Sequence, residues 1–426
     1  MENKETRIAI IVGVKLDSND NFAFEMEELR GLAKACNLVV REEVVQTAKT
    51  FNNKTYIRSG KVSELKELIE MHNASYCIFN DELSGAVLNN LSKQLDCIIY
   101  DRTYLILEIF KSRAHTKEAR LQVDIASLIY MKSRLVGLRE GLSRQRGGSS
   151  GGGAYGKGRG ETQLEIDRRN ISERIVLLRK ELKQIIQERK TQRKRRTNSN
   201  IPIVCLVGYT NAGKSSILNR FMDFSKTNKK EVFEKDMLFA TLETSSRLIT
   251  LKNNHSFILT DTVGFISKLP TMLVEAFKST LEEISEADLL IHVIDSSNVK
   301  SLVQINTTNE VLDELGAKGI NTIYVFNKTD KVTDSVIIPK EVTDYCLVSA
   351  LTLDGMDELQ SKIDSLLFPN EETVTLLIPY DKAGLLTKLK NNANVLSILK
   401  CDDGLIVNVI IGKELKKEYI AYIKKA

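Results

Sequence analysis

The 426-residue chain is short of several things at once: six cysteines with no C-x-x-C pair, no apolar run of membrane-spanning length, and a formal net charge of only +5. Each shortage excludes something. Cys36, Cys77, Cys97, Cys205, Cys346 and Cys401 lie mostly inside apolar runs, as reduced core residues of a cytosolic protein do, so no disulfide framework is expected. Ile8 to Val14 is too short for a signal-peptide core, and the residues before it are polar. With no span and no leader, the expected location is the cytoplasm. The small net charge means that any nucleic-acid signal must come from where the charge sits.

What is present is ordinary globular material, with 42% hydrophobic and 27% charged residues, and length for two to four domains. Up to residue 112, strand-like runs (Ile8 to Val14, Leu38 to Val45, Tyr76 to Phe79, Cys97 to Tyr100) alternate with helical patterns (Phe24 to Ala35, Val62 to Met71, Ser84 to Leu95). That order predicts an N-terminal α/β domain with a small parallel sheet. It has no phosphate loop. Asp101-Arg102 closes its last strand, where α/β sheets carry ligands, although a solvated turn or a domain contact accounts for it more simply.

Residues 113–196 read as an antiparallel helical hairpin. Leu121, Ile125, Leu128, Leu135 and Leu142 stripe one helix, and Leu164, Ile171, Ile175, Leu178, Leu182 and Ile185 stripe the other. Between them residues 147–160 form a glycine-rich tip holding Tyr155, Lys157 and Arg159, with Arg144 and Arg146 beside it. A plain linker explains the glycines; backbone and cations laid on RNA phosphates, with Tyr155 stacked on a base, explain the rest. Lys183, Arg189, Lys190, Arg193, Lys194, Arg195 and Arg196 form a basic helix end that suits either solvent or a phosphate backbone.

Residues 201–368 carry the chemistry. Gly208-Tyr209-Thr210-Asn211-Ala212-Gly213-Lys214-Ser215 fits G-x-x-x-x-G-K-[ST], after the apolar run Ile203 to Val207 and before a helical pattern opening at Ser216. A strand entering a glycine loop and then a helix aims backbone N–H groups and the helix dipole at a polyphosphate. Lys214 is expected on the β- and γ-phosphates and Ser215 on Mg²⁺. Asp261-Thr262-Val263-Gly264, about fifty residues on, supplies a carboxylate that holds Mg²⁺ through water and a glycine amide that senses the γ-phosphate. Asn327-Lys328-Thr329-Asp330 supplies a carboxylate for the N1 and amine of guanine, with Asn327 tying down the loop and the Lys328 stem covering the ring. Ser349, Ala350 and Leu351 complete the base loop, with a backbone N–H for guanine O6. Between these lies Phe239-Ala240-Thr241-Leu242-Glu243, where Thr241, or failing it Thr244, is expected to complete the Mg²⁺ shell. GTP or GDP with Mg²⁺ are the cofactors so predicted; Lys214, Thr241 and Gly264 are the expected catalytic groups. Phe265 stands where Ras-type GTPases place a water-orienting glutamine, which predicts slow unaided hydrolysis. Residues 371–426 read as a small α+β domain of no evident chemistry.

With GYTNAGKS, DTVGF and NKTD in place, the chain resembles the HflX family of translational GTPases. The family-specific stretches are Phe239 to Leu242, Ser112 to Thr116, and Gly160-Glu161-Thr162-Gln163-Leu164-Glu165-Ile166-Asp167-Arg168-Arg169. The resemblance implies an N-terminal α/β domain bearing the hairpin, a Ras-like G domain and a small C-terminal domain. It further implies binding to the large (50S) ribosomal subunit and its rRNA through the hairpin tip. It implies GTP hydrolysis stimulated by that subunit, and splitting or rescue of stalled or idle ribosomes. The free protein is expected to be monomeric. Three positions depart from the pattern: Arg159 in place of proline, Ser216 in place of threonine, and Leu351 in place of lysine. An RNA-binding scaffold that holds GTP without turnover, or a GTPase serving a membrane machine or metal chaperone, are the competing readings. The intact Lys214, Ser215 and Asp261 argue against the first, and the cationic tip argues against the second.

Overall fold

The computed structural model describes residues 7–145, 157–196, 201–225, 239, 245–253, 255–333, 335–369 and 371–424. The N-terminal unit alternates β1 (Ile8–Leu16), α1 (Phe22–Ala35), β2 (Val39–Ala48), α2 (Ser59–His72), β3 (Tyr76–Phe79), α3 (Gly85–Ser92), β4 (Ile98–Asp101) and α4 (Arg102–Arg113). Its four strands are all parallel, in the order β2-β1-β3-β4. β1 is apolar on both faces because both are covered: Ala9 and Ile11 pack under α1 and α4, Ile10 and Val12 under α2 and α3.

The hairpin follows as α5 (Lys117–Gln145) and α6 (Lys157–Arg196). Leu121, Ile125, Ile175 and Leu178 are buried between the two, with Ile171, Leu182 and Ile185 against them, as the heptad spacing predicts. One boundary differs. The second helix begins at Lys157, so Lys157 to Gly160, expected in the tip, have helical backbone. Gly158 and Gly160 each disfavour a helix by only about 1 kcal/mol, which does not stop a nucleated helix extending by one turn. Residues 146–156, the remainder of the expected tip, lie outside the described residues.

The next sheet is built from β5 (Ile203–Gly208), β6 (Ser245–Thr250), β7 (Ser256–Asp261), β8 (Leu289–Asp295), β9 (Thr322–Asn327) and β10 (Tyr345–Leu347), ordered β10-β9-β8-β5-β7-β6. Only β6 runs antiparallel to its neighbour. α7 (Lys214–Phe224) and α10 (Met356–Leu367) cover one face, while α8 (Thr271–Ser285) and α9 (Ser301–Glu314) cover the other. The second face does not end at the G-domain boundary. One continuous core joins Val263, Phe265, Leu273, Phe277 and Leu281 to Leu105, Ile109, Phe110, Ala119 and Val123 of the N-terminal unit and hairpin base. β11 (Glu371–Ile378), α11 (Ala383–Asn392), β12 (Asn394–Cys401), β13 (Gly404–Gly412) and α12 (Lys413–Tyr419) form a last antiparallel sheet, β11-β13-β12, with its own core. At its junction with the preceding unit the His255 ring lies tilted against Phe368, centroids 4.2 Å apart, and between Asp364 and Glu371. Among the described residues no helix is long and apolar enough to cross a membrane.

Candidate nucleotide site

β5 delivers the chain to Gly208, whose φ of 140° and whose missing Cβ, which would sit 2.2 Å from the Val293 carbonyl oxygen, admit only glycine. The loop then turns into α7 through Gly213, and Lys214 folds back under it. Lys214 Nζ donates to the carbonyls of Gly208 (3.0 Å) and Tyr209 (2.8 Å). The ammonium is 6% exposed; burial pushes it down to about 8, Asp261 pulls it back up, and Lys328 pushes it further down. A buried cation this short of countercharge favours a polyanion. Ser215 Oγ donates to Asp261 Oδ2 at 2.7 Å, which brings a hydroxyl and a carboxylate oxygen to one point. That all-oxygen pair fits a hard divalent cation such as Mg²⁺. The chain after Asp261 lies along the P-loop: Thr210 N donates to the Phe265 carbonyl (2.8 Å) and Phe265 N to the Gly208 carbonyl (3.1 Å). A Cβ at Gly264 would come within 2.8 Å of Thr210 Cα and 2.9 Å of Lys214 Nζ, so this glycine is needed for close approach. Thr210 Oγ1 is buried there without a hydrogen bond to any described residue.

The base loop is cross-linked before any base arrives. Asn327 Nδ2 donates to the Ala212 carbonyl (2.9 Å), and Lys328 Nζ donates to the Asn211 carbonyl and to Asp295 Oδ2 (2.7 Å each). Ser349 Oγ holds Asp330 Oδ1 at 2.6 Å, fixing the carboxylate that would read guanine. The Ala350 N–H, expected for guanine O6, donates to Asn327 Oδ1 at 3.1 Å across the turn. Thr329 begins the short turn after Lys328, and Leu351 is 71% exposed beside it.

The side chains of several predicted site residues pack into the core. Phe239 is 2% exposed and stands edge-on to Phe110 at 4.7 Å, in the core shared by the two units; a benzyl side chain gains more there than against a nucleotide. Phe265 is 1% exposed in the same core, so its side chain packs beneath the loop. Thr262 donates its hydroxyl to the Leu206 carbonyl (2.7 Å), and Val263 and Ala212 are core residues. Ser216 follows Ser215 in the first turn of α7. Ala240, Thr241, Leu242, Glu243 and Thr244 lie outside the described residues.

Comparison with known proteins settles the family. Residues 24–111 match the family described as GTP-binding GTPase N-terminal, 113–196 that described as GTP-binding GTPase Middle Region, and 203–328 that described as 50S ribosome-binding GTPase. The chain is 40% identical over 415 residues to the GTPase HflX of Caldanaerobacter subterraneus subsp. tengcongensis, covering 97% of this chain and 93% of that one. The chain belongs to the HflX family of GTPases. The GTPase HflX of Lacrimispora saccharolytica is 38% identical over 95% of this chain and 94% of its own, and that of Escherichia coli 39% identical over 73% and 70%. A crystal structure of a GTP-binding protein from the archaeon Sulfolobus solfataricus with GDP aligns at 25% identity and a TM-score of 0.44, over 85% of this chain and 99% of that one.

In this HflX-family GTPase a polar network joins the N-terminal unit to the P-loop. Arg102 is 2% exposed and donates to Glu28 Oε2 (2.6 Å), Asn80 Oδ1 (3.1 Å), the Glu25 carbonyl (3.2 Å), and both the carbonyl and Oγ of Ser267 (3.0 Å each). Glu28 also accepts from the Tyr209 hydroxyl and the Ser267 hydroxyl, while Ser267 N donates to the Tyr209 hydroxyl at 2.6 Å. Burial, then Glu28, push the Tyr209 phenol up, so it stays a donor. Asp101, fully buried, caps α4 by accepting from Tyr104 N (2.8 Å) and takes donors from Leu83 N, Tyr130 and Arg134. Asp101-Arg102 is a buried contact, not a solvated turn.

Proposed function

We propose that this HflX-family GTPase binds GTP or GDP with Mg²⁺ at the P-loop, engages the large ribosomal subunit through its hairpin, and couples hydrolysis to splitting or rescue of stalled or idle ribosomes. The observation that carries the nucleotide reading is the buried Lys214 ammonium beside the joined Ser215–Asp261 pair, with Asp330 held by Ser349 one loop away. Lys214 would meet the β- and γ-phosphates, and Asp330 the guanine N1 and amine. Ser215 would hold Mg²⁺, with Asp261 beyond a water and Thr241 completing the shell; the ion would supply positive charge to the polyphosphate. The Gly264 amide would read the γ-phosphate. Guanine O6 is left to the backbone around Ala350 and Leu351.

The ribosome reading is supported by the match of residues 203–328 to a family described as 50S ribosome-binding, and by how the hairpin is seated. α5 packs on α8, the helix that follows the D-x-x-G loop, and Arg179 of α6 pairs with Glu275 of α8 at 3.2 Å. Contact made through the hairpin would thereby bear on the segment proposed to follow the γ-phosphate. Deleting residues 148–158 should leave GTP affinity intact and weaken co-sedimentation with purified large subunits. Replacing Arg189, Lys190, Arg193, Lys194, Arg195 and Arg196 with Gln should flatten the salt dependence of that association. Parent-like sedimentation of both variants at every salt concentration would refute the tip as a ribosome contact.

A further inference from the structure

An open parallel sheet carries its ligand site at the carboxyl ends of the strands, at the point where the strand order reverses. In the N-terminal sheet that point lies between β1 and β3. The residues around it are Val14 on β1, Asn80 and Asp81 just past β3, and Glu25 on α1. It is acidic and built. Glu25 is 7% exposed; its Oε1 accepts from Asn19 Nδ2 (3.1 Å) and its Oε2 from Asn80 Nδ2 (3.0 Å). Asp81 takes the Tyr56 hydroxyl, which also accepts from Val14 N at 3.3 Å. Tyr56 holds a φ of 64°, a left-handed conformation that a bulky residue adopts only when its surroundings enforce it.

The crevice is filled by the chain itself. Lys268, four residues past Gly264, places Nζ 2.6 Å from Glu25 Oε2 and 2.8 Å from Asp81 Oδ1, on a backbone with φ 52°. Among the described residues the other cation in the network, Arg102, is committed to Glu28 and Ser267 and reaches Glu25 only at its backbone carbonyl. Two carboxylates with one ammonium between them define the ligand class, a primary alkylammonium.

We infer that the crevice between β1 and β3 is a receptor for the ammonium group of Lys268, and that exchange of GDP for GTP withdraws Lys268 from it. The link to nucleotide rests on the γ-phosphate role proposed for Gly264. Gly264 lies so near the P-loop that a Cβ on it would meet Thr210 and Lys214, and Phe265 is bonded to the P-loop backbone on both its N–H and its carbonyl. Ser267 and Lys268 are the next polar residues along the same strand of chain. A shift of Gly264 toward a γ-phosphate pulls on the Lys268 backbone, whose strained φ is kept only while its side chain is anchored.

Two measurements on the full-length protein test this. The first is acetylation of Lys268 by an amine-reactive ester, followed by peptide mass spectrometry, with GDP or a non-hydrolysable GTP analogue and with occupancy measured in each sample. Labelling should be about fivefold faster with the GTP analogue, the change expected when two partly exposed ion pairs open. Equal labelling at full occupancy of both nucleotides overturns the nucleotide link, whereas failure to reach occupancy counts against the nucleotide site itself. The second needs no nucleotide. In Lys268→Ala, ethylammonium chloride at about 100 mM should raise Tm by about 1 °C over tetramethylammonium chloride, and Asp81→Asn in that background should abolish the difference. No difference between the two salts in Lys268→Ala overturns the receptor; Lys268→Arg, a bulkier cation, should show none.

Discussion

Arg102 ties Glu25, Glu28 and Asn80 of the N-terminal unit to Ser267 past the D-x-x-G loop, and its removal should be among the most damaging single changes in the molecule. In Arg102→Met the stem volume is nearly kept, so the loss is electrostatic. Glu28, with a side chain 6% exposed, would lose the 2.6 Å guanidinium bond. Stranding a buried carboxylate in this way costs about 3–5 kcal/mol. The hydroxyls of Tyr209 and Ser267 remain as donors to Glu28, which places the expectation near the lower end. Adding Glu28→Gln removes the stranded charge while leaving an acceptor for both hydroxyls. The double variant should then be less destabilised than the sum of the single changes by about 2 kcal/mol. Urea denaturation followed by circular dichroism gives all four corners of the cycle. Additivity to within about 0.5 kcal/mol would refute a buried, coupled pair.

Two other predictions follow from single residues. His292 is buried on β8; burial, and secondarily Lys214, push its imidazole down to about 3. The unfolded chain therefore binds a proton below about 6.5 that the folded chain refuses, so stability falls as pH drops, by about 2 kcal/mol between pH 7.5 and 5.0. His292→Asn should lack that share of the acid loss; an unchanged acid limb in urea titrations at the two pH values would contradict it. Asp330→Asn should shift preference from guanine toward xanthine nucleotide, because the amide donates where guanine also donates, at a cost on the order of 1.5–3 kcal/mol in GTP binding. Competition with XTP checks it, and unchanged GTP affinity would refute the assignment.

The contrast between what was and was not legible follows sequence distance. The four parallel strands and the three helices between them were readable because each rests on local periodicity: β3 begins and ends where the apolar run does, and α1 starts two residues before the pattern, whereas α4 was not marked. The P-loop was readable because a glycine turn with φ 140° at Gly208 admits one residue type, and the motif records that constraint. Arg102, Glu28 and Ser267 were not, since the partners lie 74 and 165 residues apart and no local pattern marks their meeting. Phe265 was legible only as a missing glutamine. That its ring belongs to a core spanning two units depends on Phe110 standing edge-on to Phe277 at 5.1 Å, a fact of packing between distant segments. The bond between the Ala350 amide and Asn327 was hidden for a similar reason: the motif fixes Asn327 and Ala350 near one another but not which group satisfies which.

The central claim is that hydrolysis idles in the free protein and is switched on by the large ribosomal subunit. With Phe265 buried, its ring cannot orient an attacking water, and the D-x-x-G segment is tied into the P-loop and the N-terminal unit. A stabilising group supplied from outside is worth about 10³–10⁵ in rate in GTPases of this architecture. Single-turnover GTP hydrolysis with and without purified large subunits measures this directly. The account predicts a slow free rate and an acceleration of about a thousandfold or more on adding large subunits; a fast free rate that large subunits leave unchanged would contradict it.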